Sequence, residues 1–309
     1  MEQSYLVDLM NSRQKIWLGI LVAVWIVSVG WFWWWWMRPE HVTQWWRFGL
    51  NTAILGWATL LPGYYFYFLL RAKKPNPDLK IPPGWRVAMV VTRAPSEPFE
   101  MVKKTILAML AQRYPHDTWL ADEDPTEEIY RWCGENGVKV STRRGESMYQ
   151  RKEWPRREKC KEGNLAYFYD KYGYEAYDFV VQLDADHVPM SGYLMEMLRP
   201  FVDPKVGYVS APSICDSNAS KSWAARGRLC AEATFHGTLQ AGYTNGWAPL
   251  CIGSHYAVRT RALKEIGGLG PELAEDHSTT LMMNSVGWRG VHAVEAEARE
   301  QPHLLSARH

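Results

Sequence analysis

The sequence has few cysteines, and none of them is spaced as a metal or redox motif. The 5 cysteines include no Cys-x-x-Cys pair (Cys133, Cys160, Cys215, Cys230 and Cys251). Their spacing supports neither a zinc site nor a disulfide framework and is consistent with a reducing compartment. A net charge of only +2 gives no case for nucleic-acid binding. Internal repeats and low-complexity tracts are also absent from the part of the sequence after residue 85.

Charge is missing from two long stretches near the amino terminus. Ile16–Met37 is a run of 22 uncharged residues, and Phe48–Leu70 is another of 23. At the helical rise the first run spans about 33 Å, which matches the hydrocarbon core of a bilayer. A cleaved signal peptide is excluded by the length of this run, the lack of a small-residue cleavage site and the second run that follows. We therefore predict a transmembrane hairpin of two helices over residues 16–70.

Aromatic and basic residues flank the two apolar runs. Tryptophans cluster around the short link between the runs, as in the aromatic belt at a membrane face (Trp31, Trp33, Trp34, Trp35, Trp36, Trp45 and Trp46). Five basic residues lie between positions 71 and 86, whereas the link holds only Arg38 and Arg47. Because positive charge marks the cytoplasmic side, residues 1–15 and everything after Leu70 are predicted to lie in the cytoplasm.

The rest of the chain alternates predicted strands and helices. A polar, proline-rich linker over residues 71–84 precedes this part. Strands are predicted at Val87–Val91, Thr118–Ala121 and Val138–Ser141, with helices between them at Pro95–Gln112 and Thr126–Asn136. Such alternation is typical of a mostly parallel, doubly wound α/β sheet. We predict a Rossmann-like nucleotide-binding fold within a domain at residues 85–299.

Two carboxylates follow the central predicted strand. Phe179–Leu183 is typical of a buried parallel strand, and Asp184 and Asp186 lie just beyond its carboxyl end, where open α/β sheets bind ligands. Separated by the small Ala185, they can face one hard cation such as Mg²⁺ or Mn²⁺, and the cation can hold a diphosphate. A short Asp-x-Asp is also typical of turn carboxylates that cap the next helix, and the pattern alone leaves both interpretations open.

An acidic residue and a lysine supply further candidates. Asp122 follows a predicted strand and suits the base or ribose of a nucleotide, although the adjacent Asp124-Pro125 also fits a helix cap. The cationic segment Arg143–Lys161 fits a solvated loop or anionic lipid headgroups. Lys161-Glu-Gly-Asn164 differs because it begins a predicted helix, where a lysine and free backbone N–H groups can approach phosphate together.

Five short motifs occur in one order along the chain. They are Lys161-Glu-Gly-Asn164, Leu183-Asp-Ala-Asp-His-Val-Pro189, Ile252-Gly-Ser254, Ile266-Gly-Gly268 and Ala274-Glu-Asp276. In this order and spacing they resemble the processive, inverting glycosyltransferases of family 2, in the cellulose synthase-like branch. The resemblance implies a GT-A fold, a UDP-sugar donor such as UDP-glucose and a divalent cation. It also implies an integral protein of the bacterial inner membrane with a cytoplasmic catalytic domain.

The resemblance also assigns roles to single residues. It implies that Asp122 contacts the nucleotide, Lys161 the diphosphate, Asp184 the donor and Asp186 the metal, and that Asp276 is the catalytic base. From local sequence alone, a helix cap is the favoured interpretation of Asp276, and only the resemblance favours the base. An acceptor site for a polysaccharide or glycolipid is expected near Trp247, Gly253, Ser254, His255 and Glu275, with His187 supporting the metal ligands. Trp247 and His255 are equally explained as a buried tryptophan and a core histidine.

Two features depart from the family pattern. Where the family usually has paired aspartates, this sequence has Asp122-Glu123, and the family's Gln-x-x-Arg-Trp motif has no counterpart within its 309 residues. Residues 300–309 are expected to be a truncated or irregular tail. Retention of the acidic and basic site residues favours a membrane-anchored enzyme that extends a β-linked polysaccharide, with membrane lipid and other synthase subunits as partners. The missing motif favours a second hypothesis, a non-catalytic UDP-sugar-binding or assembly protein.

Overall fold

The computed structural model describes residues 4–244 and 246–301. Within these residues the α-helices are α1 Ser12–Trp36, α2 Trp45–Arg71, α3 Phe99–Leu110, α4 Glu127–Glu135, α5 Lys161–Phe168, α6 Tyr174–Ala176, α7 Tyr193–Leu198, α8 Trp223–Glu232, α9 Gln240–Tyr243, α10 Thr260–Glu265 and α11 Glu275–Ser285. The strands are β1 Leu6–Asp8, β2 Lys73–Pro75, β3 Val87–Arg93, β4 Asp117–Asp122, β5 Lys139–Ser141, β6 Phe179–Leu183, β7 His187–Pro189, β8 Val206–Ser210, β9 Ser213–Ile214, β10 His255–Arg259, β11 Arg289–His292 and β12 Ala298–Glu300.

Helices α1 and α2 pack together as a hairpin whose apolar side chains are mostly exposed. They are 25 and 27 residues long, with mean hydropathy of 2.1 and 1.4 in their most apolar segments, so each is long and apolar enough to cross a membrane. The indole N–H groups of Trp33 and Trp36 donate to the hydroxyls of Thr59 (3.1 Å) and Thr52 (2.9 Å). These two hydrogen bonds satisfy polar groups between the helices, as a hairpin in an apolar environment would require.

A pair of short strands closes the hairpin at its base. Strand β1, before α1, pairs antiparallel with β2, after α2. Leu9 N–H also donates to the carbonyl of Ala72 (2.9 Å), and Tyr5 packs against the core of the following domain. Both ends of the hairpin therefore lie on one side of it, and the segment expected to be a plain linker contains a strand.

The end of α2 is fixed to the domain by aromatic rings and by one glycine. The ring of Phe68 lies 4.7 Å from that of Tyr243 and 5.2 Å from that of Trp247. Gly242 lies so close to α2 that a Cβ atom there would be 2.5 Å from Phe68 Cβ and 2.7 Å from the Phe68 carbonyl oxygen. The domain and the hairpin are thus in backbone contact.

The domain is built on a seven-stranded sheet with the order β11-β8-β10-β6-β3-β4-β5. All neighbouring strands are parallel except β10, which is antiparallel to both β6 and β8. The strands of the centre are apolar runs because helices cover both faces. Side chains of α3, α4 and α7 pack on one face, and those of α5, α10 and α11 pack on the other. The predicted mostly parallel α/β fold, preceded by two apolar helices, is confirmed.

A smaller sheet of three strands, β7-β12-β9, lies beyond the end of β6. Glu300 in β12 pairs with His187 in β7, and the next residue, Gln301, is buried. The expected domain boundary at residue 299 therefore falls inside a strand, and residues 300 and 301 belong to the fold. Positions 302–309 of the expected tail lie outside the described residues.

The close approach of Gly242 to α2 yields a stability prediction. Gly242→Ala should lower the free energy of unfolding by about 1–3 kcal/mol, because the Phe68 carbonyl in contact with the new methyl cannot move aside easily. Gly227→Ala in α8 is the matched control, since nothing lies within 4 Å of its added Cβ and alanine favours a helix. Thermal unfolding in detergent should show a lower midpoint for Gly242→Ala alone. Equal midpoints would contradict the contact.

Candidate active site

The site is built around the loop that follows β6. Asp184 N–H donates to the carbonyl of Ser254 (2.8 Å), and His187 N–H donates back to the carbonyl of Asp184 (3.2 Å). Ser254 comes from the segment before β10, whose first residue, His255, lies opposite Leu183 at the end of β6. The antiparallel pairing of β10 thus brings Ile252–Ser254 against the carboxylate loop at the ligand-binding edge of the sheet.

Asp184, Asp186 and His187 form a cluster that could hold a metal ion. Their candidate ligand atoms lie within 4.8 Å of one another. His187 Nδ1 donates to Oδ1 of Asp186 (2.7 Å), and its Nε2 is bonded to the hydroxyl of Ser213 (3.0 Å). Since both imidazole nitrogens are engaged, the two carboxylates remain as ligands. Oxygen ligands of this kind suit Mg²⁺ or Mn²⁺, so the residues fit the cation implied by the resemblance.

Lys161, the first residue of α5, lies against the same loop. Its ammonium group donates to the carboxylate of Asp184 and to the carbonyl of Gly253. Burial disfavours the charged ammonium, but the nearby carboxylates of Asp184, Glu275 and Asp276 outweigh this effect and raise the pKa of Lys161. Lys161 is therefore a charged lysine beside the carboxylate loop, and its contact with a diphosphate stays a prediction.

Asp276 lies on the other side of Gly253. A Cβ atom at Gly253 would be 3.0 Å from Oδ2 of Asp276, so the missing side chain makes room for this carboxylate. The other oxygen, Oδ1, accepts a hydrogen bond from His277 N–H (2.8 Å). Ala274 is the N-cap of α11, so Asp276 does not cap the helix, although its place in the first turn is favourable to the helix dipole. Gly253 thus touches both Lys161 and Asp276.

Glu275 is buried beside these charges rather than open to an acceptor. Its side chain is only 6% exposed, and its Oε1 has no hydrogen-bond partner among the described residues. Burial, reinforced by the charges of Asp276 and Asp184 against the opposing effect of Lys161, raises the pKa of Glu275 to about 7. This carboxyl group consequently titrates near neutral pH.

A cavity of about 180 Å³ opens next to Asp184 and Lys161. It is lined by Thr92, Arg93, Ala94, Glu97, Glu123, Lys159, Cys160, Lys161, Asn164 and Asp184. Asp122, expected to contact a nucleotide, is fully buried, and both its oxygens accept from Arg93 NH1 (2.9 and 3.1 Å). β4 points the Asp122 side chain into the protein in this structure, and its contact with a nucleotide stays a prediction. Arg93, whose guanidinium group donates to Asp122, lines the cavity.

The cavity includes residues that sequence reasoning missed. Glu123, noted only as a departure from the paired aspartates, lines the cavity and forms an ion pair with the buried Arg143. Glu97 follows β3 and accepts a hydrogen bond from Ala94 N–H (2.7 Å). Burial raises the pKa of Glu97, and the charges of the carboxylate loop add to this. Their place in the sequence could have predicted this, because Glu97 and Glu123 both follow parallel strands, whose carboxyl ends meet at one edge of the sheet.

The expected acceptor residues are only partly brought together. His255 is fully buried; its Nε2 donates to the carbonyl of Pro212 (3.1 Å), and its Nδ1 is bonded to the hydroxyl of Ser254 (3.1 Å). Burial holds the pKa of His255 well below its usual value, so it has the environment of a neutral core histidine, the other interpretation that the sequence allowed. Trp247 is 56% exposed and lies beside Phe68 of the hairpin. Gly253 lies at the centre of the site.

Comparison with known proteins places the chain in a family. Residues 83–307 match the model of the family described as Glycosyltransferase like family 2. The chain belongs to this family. Cellulose synthase 1 of Komagataeibacter xylinus is 25% identical over 291 residues, which cover 90% of this chain and 18% of that protein. The UDP-forming cellulose synthase catalytic subunit of Xanthomonas axonopodis pv. citri is 25% identical over 257 residues, which cover 81% of this chain and 33% of that protein.

A solved structure shows the same fold. The mannosyltransferase PcManGT from Pyrobaculum calidifontis, in complex with GDP-Man and Mn²⁺, superposes with a TM-score of 0.56 at 18% sequence identity. The similarity covers 82% of this chain and 66% of that one. This chain spans less than two thirds of the length of the two cellulose synthases described above. The predicted family and its GT-A fold are confirmed.

The buried Glu275 predicts a pH dependence of stability. Between the ordinary pKa of 4.5 and the raised value of about 7, the folded protein keeps a proton that the unfolded chain releases. Stability from this group is thus complete below 4.5 and is lost as the pH rises through about 7, by at most about 3 kcal/mol. Glu275→Gln should be less sensitive to pH between 5 and 8 in thermal unfolding, and the exposed Glu128→Gln should behave as wild type. The same pH slope in wild type and Glu275→Gln would contradict this assignment.

Proposed function

We propose that this chain is a membrane-anchored inverting glycosyltransferase that transfers a sugar from a UDP-sugar, most simply UDP-glucose, to a growing β-linked polysaccharide. The observation that carries the proposal is the position of Gly253. Its carbonyl accepts from Lys161, which also binds Asp184, and its Cα faces the carboxylate of Asp276. Lys161 and Asp184, which suit a departing diphosphate, therefore lie on one side of Gly253. Asp276, which suits the acceptance of a proton, lies on the other side.

These residues fit the chemistry of inverting transfer. The acceptor hydroxyl gives its proton to the Asp276 carboxylate while its oxygen attacks the anomeric carbon of the donor. As the new glycosidic bond forms, the bond from the sugar to the diphosphate breaks, and the electron pair leaves with UDP. Lys161 places a positive charge beside the carboxylate loop, where it can stabilise the negative charge that develops on the leaving group.

The donor and cation are proposed from the site together with the relatives. One relative is named as a UDP-forming cellulose synthase. When bound by Asp186 with Asp184, Mg²⁺ or Mn²⁺ would supply further positive charge to the diphosphate. The cavity lined by Arg93 and Glu123 would then receive the nucleoside, since it opens directly beside Asp184.

The hairpin is proposed to anchor the domain at the inner face of a bacterial inner membrane. Its two helices are long and apolar enough to span a membrane, and the end of α2 packs on the domain through Phe68 and Gly242. A polymer or glycolipid acceptor would approach from this side, where the exposed face of Trp247 lies beside Phe68. Membrane lipid and further subunits of a polysaccharide synthase are the partners that this arrangement suggests.

Two variants are predicted to affect donor binding and sugar transfer differently. Asp186→Asn should weaken metal-dependent UDP affinity by about 2–3 kcal/mol, the scale for losing one charged, desolvated contact. Asp276→Asn should keep donor binding but lower transfer about 10²–10⁴-fold, because it removes the base. Calorimetry with UDP and Mn²⁺, and release of UDP from UDP-glucose, measure the two quantities, with the exposed Asp78→Asn as the control.

Three outcomes are informative. Unchanged metal-dependent affinity in folded Asp186→Asn would overturn the metal assignment. Full turnover by Asp276→Asn would overturn the assignment of the base. Tight UDP binding by the wild type with no turnover of any UDP-sugar would favour the non-catalytic hypothesis instead.

The proposed topology is tested by protease accessibility. Added to intact cells, a protease should spare the domain after Leu70, because both ends of the hairpin are proposed to face the cytoplasm. The exposed basic residues between Arg143 and Lys161 are the natural sites to watch with trypsin. Permeabilised cells provide the control, where cleavage is expected. Cleavage in this segment before permeabilisation would show the opposite orientation.

A further inference from the structure

Two residues from distant parts of the chain hold the backbone of the carboxylate loop. The hydroxyl of Thr105, on α3, donates to the carbonyl of Ala185 (2.7 Å). The backbone N–H of Gln301, just after β12, donates to the carbonyl of Asp186 (2.7 Å). Ala185 lies between the two proposed metal ligands, and Asp186 is one of them. Residues outside the loop therefore bond the carbonyl groups of both.

Thr105 and Gln301 are also bonded to each other. The side-chain amide of Gln301 donates to the Thr105 hydroxyl (3.2 Å) and to the carbonyl of Met101 (2.9 Å). The Thr105 hydroxyl thus accepts from Gln301 and donates to Ala185. It links α3, the metal loop and the end of β12 in one hydrogen-bonded unit, which we term the loop clamp.

Packing alone does not explain a hydroxyl at position 105. Thr105 is 0% exposed, and the other buried positions of α3, at Val102, Ile106 and Met109, are apolar. Valine has the same shape as threonine and would fill the same space without a polar group to satisfy. A buried hydroxyl is retained at little cost only when its hydrogen bonds are made, and both are made here to elements of the clamp.

We propose that Thr105 and Gln301 are positioning residues that hold Asp184 and Asp186 in the arrangement that binds a divalent cation. Rotation of the peptide units on either side of Asp186 would swing its carboxylate relative to that of Asp184. The clamp restricts those rotations, since it bonds the carbonyls of Ala185 and Asp186. Groups that orient metal ligands in this way commonly contribute 10–100-fold to metal affinity. The inference rests on the proposed function, because it takes the loop to be the metal site.

The test is Mn²⁺ binding rather than turnover. Mn²⁺ is titrated into the full chain in detergent with a fixed concentration of UDP, and free Mn²⁺ is followed by its electron paramagnetic resonance signal. Thr105→Val should weaken Mn²⁺ binding about tenfold, because the carbonyl of Ala185 loses its hydrogen bond. Thr105→Ser, which keeps the hydroxyl, should restore binding to within about threefold of wild type.

Two more variants separate positioning from general stability. Thr260→Val removes a buried hydroxyl that donates to the carbonyl of Tyr177 (2.6 Å) on a different part of the domain, and it should leave Mn²⁺ affinity unchanged. Gln301→Leu removes the amide but keeps the backbone N–H bonded to Asp186, and it should weaken binding less than Thr105→Val does. Gln301→Leu also tests the clamp if Thr105→Val fails to fold.

The outcomes distinguish this inference from the function on which it rests. Asp186→Asn is measured in parallel. Loss of Mn²⁺ binding in Asp186→Asn with wild-type binding in Thr105→Val overturns the clamp and leaves the metal site intact. Equal weakening in Thr105→Val, Thr105→Ser and Thr260→Val also overturns it, since the specific hydroxyl would then not matter. Wild-type Mn²⁺ binding in Asp186→Asn would overturn the metal site itself.

Discussion

The site depends on the antiparallel pairing of β10 with β6. Because β10 runs against its neighbour, the segment that precedes it lies at the carboxyl end of β6 and not at the far edge of the sheet. Gly253 and Ser254 therefore meet the loop of Asp184, and both contribute carbonyl groups there. Had β10 been parallel, as most strands of this sheet are, those two residues would lie a strand length away. One reversed strand thus brings a second segment of the chain to the edge of the sheet where Asp184 lies.

Three carboxyl groups lie near one ammonium group beside that reversed strand. Placing Lys161 among Asp184, Glu275 and Asp276 is costly in desolvation, and the mutual attraction offsets this cost only while the charges balance. Burial, reinforced by the charges of Asp276 and Asp184, raises the pKa of Glu275. The proposed donor would bring further negative charge toward this group, and its binding would then be coupled to protonation of Glu275. A divalent cation counteracts the same excess.

The sequence allowed the apolar helices, four strands of the sheet and the position of the Asp184–Asp186 loop to be predicted, because each follows from local periodicity or from the polarity of a parallel strand. The direction of single side chains could not be read in this way. Asp122 and His255 both lie at the correct edge of the sheet, yet each points into the protein and is partnered there. Thr105 and Gln301 could not be related either, because nothing in the pattern connects positions so far apart along the chain.

The strand pair at the base of the hairpin also bears on how the protein is made. Strand β1 is synthesised before the apolar helices and β2 after them, so their pairing closes a loop that contains the whole hairpin. Once the two helices have packed, the ends of this loop are already neighbours, and little chain entropy remains to be lost. Strand β1 therefore has no pairing partner until Lys73–Pro75 has left the ribosome. The hairpin becomes a closed unit only when that pairing forms.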